Sequence, residues 1–278
     1  MSRLAVTIID VGWGDSILLE AEDTPGIVRY ALIDCNDTTY QKNGFLFVKR
    51  YLEKQQVDLS ANPNLFDFVL LTHGHADHSQ GLKEMLKKFG TDWFWYPKSQ
   101  HTGITNLLKY ANRSKKVDRH QSIDNTKVLP DFGGASLEAL WPPHTLGTSP
   151  HDPNNENNNS VVLVLTIGGT SIVLTGDCEG ENWPSIVANL PNPIFVFQSP
   201  HHGARNGVFD GALAPWLDAV PAGTRVGMSS HIVPYSHPHP DVITELDARA
   251  IPTFRTDQHY HLTFEIDNGA TSVKYSRV

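Results

Sequence analysis

The spacing of apolar residues changes period several times along the chain, and each change marks an element. Short apolar runs predict strands over Leu4–Ile9, Ser16–Ala21 and Tyr30–Asp34, followed by a helix over Phe45–Lys54 and a strand over Phe66–Leu71. From Gly81 to Phe89 the apolar positions return at helical period, and Gly90 supplies a C-terminal stop. The second half repeats this logic. Strands are expected over Ser160–Ile167, Ser171–Thr175, Ile194–Gln198 and Arg225–Ser229, with helices after Gly180, near Gly211–Ala219 and near Val242–Ala250, and closing strands to Val278. Two mixed halves imply two packed sheets between two helical layers, an α/β four-layer αββα sandwich. Between them, Pro142–Asn159 carries turn chemistry throughout and no apolar period, so a long loop is expected, acting as a mobile flap.

With 278 residues and 40% hydrophobic content, the chain can bury a full core, and one domain over residues 1–278 is expected. Two cysteines, Cys35 and Cys178, are too few for a disulfide framework, and the first ten residues read as a strand without a signal-peptide cleavage pattern. No apolar run is long enough to cross a bilayer, so a cytoplasmic protein with no membrane partner is expected. A net charge of -8 argues against generic adhesion to polyanions. Charge is segregated, however: 16 of the 22 Lys and Arg lie at or before Lys127, and none falls between Val128 and Ala204.

The candidate chemistry centres on Thr72-His73-Gly74-His75-Ala76-Asp77-His78, directly after an apolar strand. His73 and His75, two apart on an extended loop, project the same way and can share one cation, while Asp77 and His78 can take a second. Imidazole plus carboxylate suits a pair of divalent ions such as zinc or manganese. Asp177 ends a strand in Gly-Asp, where a carboxylate can bridge two ions, and His201-His202-Gly203 ends the next strand. Asp34 is expected to orient a ligating imidazole. Cys35 and Cys178 read as buried, unliganded thiols.

The run His-x-His-x-Asp-His resembles the motif of the metallo-β-lactamase superfamily. Asp10–Ser16, Asn159–Leu163, Ser199–Gly203, Tyr235–Asp241 and Phe254–Asp257 resemble, more narrowly, its ComEC-like branch, the soluble hydrolase domains of competence DNA-uptake channels. The resemblance implies the αββα metallo-β-lactamase fold with a two-metal site between the sheets, zinc before manganese. It carries over His73, His75, Asp77, His78, Asp177 and one of His201 or His202 as ligands, with His202 expected. His201 and His237 would then face the substrate, binding a phosphoryl oxygen or protonating the leaving group. For His237 and His239 the alternative is a rigid helix start. A third histidine that the superfamily places before the strand at Ser160 is missing, so Glu156, an Asn carbonyl or water is expected to complete the first metal.

The resulting expectation is a metal-dependent phosphodiesterase or nuclease acting on DNA, in which Asp77 orients the attacking water and accepts its proton. Lys109, Arg113, Lys115, Lys116 and Arg119 form the one basic cluster, and Trp93–Tyr96 offers rings that can stack bases; a solvated helix end and a buried strand are the bland readings. The alternative is hydrolysis of a small ester, a phosphorylcholine-type ester or a lactone. A non-catalytic binding module is a third reading, which the intact ligand run argues against.

Overall fold

A computed structural model describes residues 2–37, 43–59, 63–144 and 151–276. Fourteen strands are named here: β1 Arg3–Ile8, β2 Ser16–Thr24, β3 Ile27–Cys35, β4 Phe66–Leu70, β5 Thr91–Tyr96, β6 Val117–Ser122, β7 Ser136–Trp141, β8 Val162–Ile167, β9 Thr170–Leu174, β10 Ile194–Gln198, β11 Arg225–Met228, β12 Thr253–Arg255, β13 His261–Asp267 and β14 Ala270–Ser276. They form an eight-stranded sheet, in the order β14-β13-β1-β2-β3-β4-β5-β6, and a six-stranded sheet, in the order β12-β11-β10-β9-β8-β7.

Three apolar clusters define four layers. Val6, Leu19, Ile33 and Leu70 from the first sheet meet Leu163, Leu165 and Ile172 from the second, forming the central core between the sheets. The outer face of the first sheet packs its Leu32, Val69 and Phe94 against the helices Gly44–Lys54, Leu82–Phe89 and Thr102–Ala111. The second sheet buries Val164, Val173 and Phe197 against Trp183, Trp216 and Leu246 of its own helices. Apart from the half-buried Asp67, β4 is apolar because both of its faces are covered. In the helix Leu82–Phe89 the buried residues Leu82, Met85, Leu86 and Phe89 recur at helical spacing, each worth about 2 kcal/mol in burial. Gly90, at φ 72, ends it.

The structure corrects or decides three of the sequence expectations about the strands and the basic cluster. The closing hairpin β13–β14 does not complete the second sheet; β13 pairs antiparallel with β1. Its alternating Leu262, Phe264 and Ile266 bury one face only, which suits the antiparallel side of the first sheet. Second, of the two readings of Trp93–Tyr96 the buried strand is the one observed: the segment is part of β5, with Phe94 and Trp95 buried and Trp95 stacked on Phe68 at 4.4 Å. Third, the basic cluster runs from a helix end through a turn into β6, with Arg119 over the Trp93 ring at 4.2 Å and Lys116 Nζ donating to the Pro63 carbonyl at 2.7 Å. Because β4, β5 and β6 are parallel, Lys115 and Lys116 lie at the strand ends opposite the histidine loop.

The expected flap is partly replaced by a packed wall. Residues 145–150 lie outside the described residues, but Glu156–Asn159 forms a short 3₁₀ turn in which Asn157, Asn158 and Asn159 are buried. Asn155 and Asn157 donate to Glu179 at 3.0 and 2.9 Å, and the Asn158 carbonyl accepts from Trp141 Nε1 at 2.7 Å. No helix among the described residues is long and apolar enough to cross a membrane.

Candidate metal centre

Parallel strands end together, and the loops leaving β3, β4, β9 and β10 converge where the two sheets meet. β4 delivers His73 and His75, whose facing nitrogens, Nε2 and Nδ1, stand 3.0 Å apart. The short helix Ala76–Ser79 then turns Asp77 and His78 inward. Asp177 follows β9, and its two oxygens serve two sides: Oδ1 lies 3.3 Å from His78 Nε2 and 3.4 Å from His202 Nε2, Oδ2 3.7 Å from both His73 Nε2 and His201 Nε2. Asp77 Oδ2 lies 3.8 Å from His78 Nε2 and 3.7 Å from His202 Nε2. Two donor sets result, Asp77/His78/Asp177/His202 and His73/His75/Asp177, each with its ligand atoms within 4.8 Å of one another. Asp177 belongs to both.

The donor set fits a pair of divalent cations. His78 Nε2, His202 Nε2 and Asp177 Oδ1 are buried, have no hydrogen-bond partner and point at one another. An unpaired buried polar atom is costly, and three converging ones of mixed nitrogen and oxygen character make a cation site.

Backbone strain helps to aim these side chains. His201 (φ 50) and His202 (φ 56) are consecutive non-glycine residues in the left-handed region, an arrangement costing on the order of 1 kcal/mol or more each. Asp34, at φ 54, turns back into the interior, where His78 Nδ1 donates to it at 2.7 Å and Thr72 donates through both N–H and hydroxyl at 2.7 and 2.6 Å. This is the orienting contact expected of Asp34, and it leaves His78 Nε2 free to face the centre.

Buried charges set the protonation. Burial opposes ionisation of Asp77 and Asp177, but the charges of His78 and His202 more than offset it and hold both carboxyls well below their usual range. Burial likewise opposes charging of His78 and His202, yet Asp177, with Asp77 and Asp34 around His78 and Asp15 around His202, holds both imidazoles up, His202 at about 9. Burial and the charge of His78 push His73 down.

Around this floor lies a cleft of about 360 Å³ walled by Trp13, Asn157, His201, Tyr235 and His237. Trp13 and Tyr235 meet edge to face at 5.7 Å. His237 lines the cleft, whereas His239 does not: its Nδ1 accepts from Asp241 N at 3.2 Å and caps the helix Pro240–Ala248. Burial, with His202 and His201 nearby, pulls His237 down to about 4. Cys35 and Cys178 are buried free thiols.

Glu156, one of the three candidates for completing the first metal, is already engaged. Its oxygens accept from Gly74 N at 2.8 Å, Ser99 Oγ at 2.6 Å and Asn159 Nδ2 at 3.2 Å, so it braces the loop between His73 and His75. Two residues escaped the sequence reading. His101, whose ring lies 5.3 Å from that of His75, carried no motif signal. Asp15 stands 3.7 Å from His202 and was visible only inside a matched stretch.

Residues 29–194 match the family model of the β-lactamase superfamily domain. The chain is 26% identical over 275 residues to ComE operon protein 3 of Bacillus subtilis (strain 168), covering 95% of this chain and 33% of that protein. It is 24% identical over 282 residues to competence protein ComA of Neisseria gonorrhoeae, covering 100% of this chain and 34% of the other. The chain thus spans about a third of the length of these curated relatives. Among solved structures, the metallo-β-lactamase fold protein YhfI of Bacillus subtilis superposes with a TM-score of 0.59 at 13% identity, over 95% of this chain and 100% of that one. Zn²⁺-bound PqqB of Methylobacterium extorquens does so at 0.52 and 15%, over 94% and 99%. With the family match running over more than half of its length and the same fold in solved neighbours, the chain belongs to the β-lactamase superfamily and has the metallo-β-lactamase fold.

Proposed function

We propose that this chain is a metal-dependent hydrolase of phosphodiester bonds, with DNA as the favoured substrate. The carrying observation is the convergence of unpartnered His78 Nε2, His202 Nε2 and Asp177 Oδ1 on the floor of an open cleft. Asp77, His78, Asp177 and His202 would hold one divalent ion and His73, His75 and Asp177 the other, zinc before manganese; the Zn²⁺ bound in the structural neighbour PqqB supports that order. Two such ions supply Lewis-acid polarisation and lower the pKa of water.

The chain's own residues do the rest. Asp77 is held ionised by His78 and His202, so its carboxylate can orient a water and accept its proton. His237 is neutral at pH 7, which favours a role as N–H donor to a phosphoryl oxygen over a role as acid to the leaving group. His201, on the opposite side of Asp177 from His202, can supply a second donor. The names of the competence relatives support a nucleic-acid substrate.

One observation favours the second reading, hydrolysis of a phosphorylcholine-type ester or lactone: among the described residues no Lys or Arg lines the cleft, and the basic cluster sits at the far strand ends. The deciding experiment reloads chelator-treated protein with Zn²⁺ or Mn²⁺ and assays linear DNA, RNA, bis-p-nitrophenyl phosphate, phosphorylcholine esters and lactones. Turnover of phosphodiesters that Asp77→Asn abolishes is expected. Turnover of the small esters alone gives the second reading, and no turnover of any substrate refutes both.

A further inference from the structure

Asp15 is 1% exposed, deep between the sheets at the start of β2. Its backbone N–H donates to the Asp77 carbonyl at 3.2 Å, and its Oδ2 accepts from Gln198 Nε2 at 2.8 Å. Its other oxygen, Oδ1, is buried without a partner and faces His202 Nδ1, also buried without a partner, across 3.7 Å. A lone carboxylate oxygen and a lone ring nitrogen are each costly to bury, and here each is the complement of the other, just beyond hydrogen-bond range.

The same relation is already closed on the neighbouring imidazole, where His78 Nδ1 donates to Asp34 at 2.7 Å. Both histidines of the four-atom donor set therefore have a carboxylate behind them, Asp34 from the end of β3 and Asp15 from the start of β2. Gln198 extends the arrangement. Its Oε1 accepts from Thr175 N at 3.0 Å, two residues before Asp177. Asp15 and Gln198 thus tie together the three loops that carry Asp77, Asp177 and His202.

We propose that Asp15 is a positioning residue for His202: it accepts the Nδ1 proton, which leaves the Nε2 lone pair facing the ion shared with Asp77, His78 and Asp177, and through Gln198 it fixes how the two sheets present these ligands. This rests on His202 being a ligand. Asn is the informative replacement, because Gln198 and His202 face different oxygens of Asp15, and an amide presents its oxygen to one of them and an NH2 group to the other.

The test titrates metal-free protein with Zn²⁺ against a chromophoric chelator and reads the visible spectrum of bound Co²⁺. In a His75→Ala background, where the four-atom set remains, Asp15→Asn should weaken Zn²⁺ binding about 10- to 100-fold and change the Co²⁺ spectrum. In a His78→Ala background, where the His73/His75/Asp177 set remains and His202 is not needed, the same change should weaken binding severalfold at most; a general loss of structure would weaken both equally. Wild-type affinity and spectrum for Asp15→Asn in the first background overturn the proposal. His202→Ala in that background must weaken binding further, and if it does not, the ligand reading fails instead. If Asp15→Asn does not fold, Gln198→Leu keeps the carboxylate but releases its anchor, and an unchanged affinity and spectrum there also overturn the proposal.

Discussion

Raising the pH of the metal-free protein from about 7 to about 8.5 should weaken its fold, and His202 sets the size of the effect. Its imidazole is enclosed by Asp15, Asp77 and Asp177, with His78, His201 and His237 also facing it, and the carboxylates hold it at about 9 against 6.5 for an ordinary histidine. A raised folded-state pKa contributes stability that is complete below about 6.5 and is lost as the pH climbs through about 9. Over the window from about 7 to about 8.5 the linkage gives a loss of roughly 2 kcal/mol from His202 alone. His78, also held up, adds to the loss. Several other shifted groups act outside this window. His73, His75 and His237 are pushed down and act below about 6.5, Asp34 sits at about 6, and the buried thiols and Tyr30 act higher. For a chain of this size the melting temperature should fall by roughly 3 °C or more. Differential scanning fluorimetry of chelator-treated protein across this range, beside Zn²⁺-loaded protein in which the trend should vanish, reads it directly. A flat or rising melting temperature for the metal-free protein would refute the charge arrangement deduced for the centre.

Zn²⁺ binding at about pH 7.5 should release about two protons, because His78 and His202 must both deprotonate to ligate; calorimetry in buffers of different ionisation enthalpy counts them, and release of none sinks the ligand assignment. Gly14→Ala should lower metal affinity at least tenfold without touching a ligand, since Gly14 has φ +87 and a Cβ there would press on the Asp77 carbonyl and lie 2.7 Å from Asp77 Cβ. Wild-type metal content after dialysis would contradict that. Replacing Lys115, Lys116 and Arg119 with Ala should leave KM unchanged for bis-p-nitrophenyl phosphate and for a trinucleotide, because the patch lies a strand length, roughly 20 Å, from the cleft; a KM raised severalfold for either would show that the patch reaches the site.

What could be read from the sequence depended on how local each signal was. His73, His75, Asp77 and His78 share one loop and the helical turn that follows it, so their cooperation is written in six consecutive positions, and Asp177 and His202 are visible because each follows a recognisable strand end. Asp15 acts on a residue 187 positions away, and Glu156 braces a loop 82 positions back, so neither role has a local signature. β6 was missed for a related reason: in Val117–Ser122 only Val117 is buried, so this edge strand lacks an apolar pattern. The asparagine run misled in the opposite direction. Polar residues spaced like a loop became a buried wall because acids on both sides of the run supply their partners: Glu179 accepts from Asn155 and Asn157, Glu181 accepts from Asn158, and Asp152 from Asn158. The excess of acids between Val128 and Ala204 therefore has a structural cause. Asp177 faces the imidazoles, Glu156 holds the histidine loop, and Glu179 and Glu181 satisfy the amides that wall the cleft, so a charge bias along the chain becomes, in three dimensions, the support of a cation site.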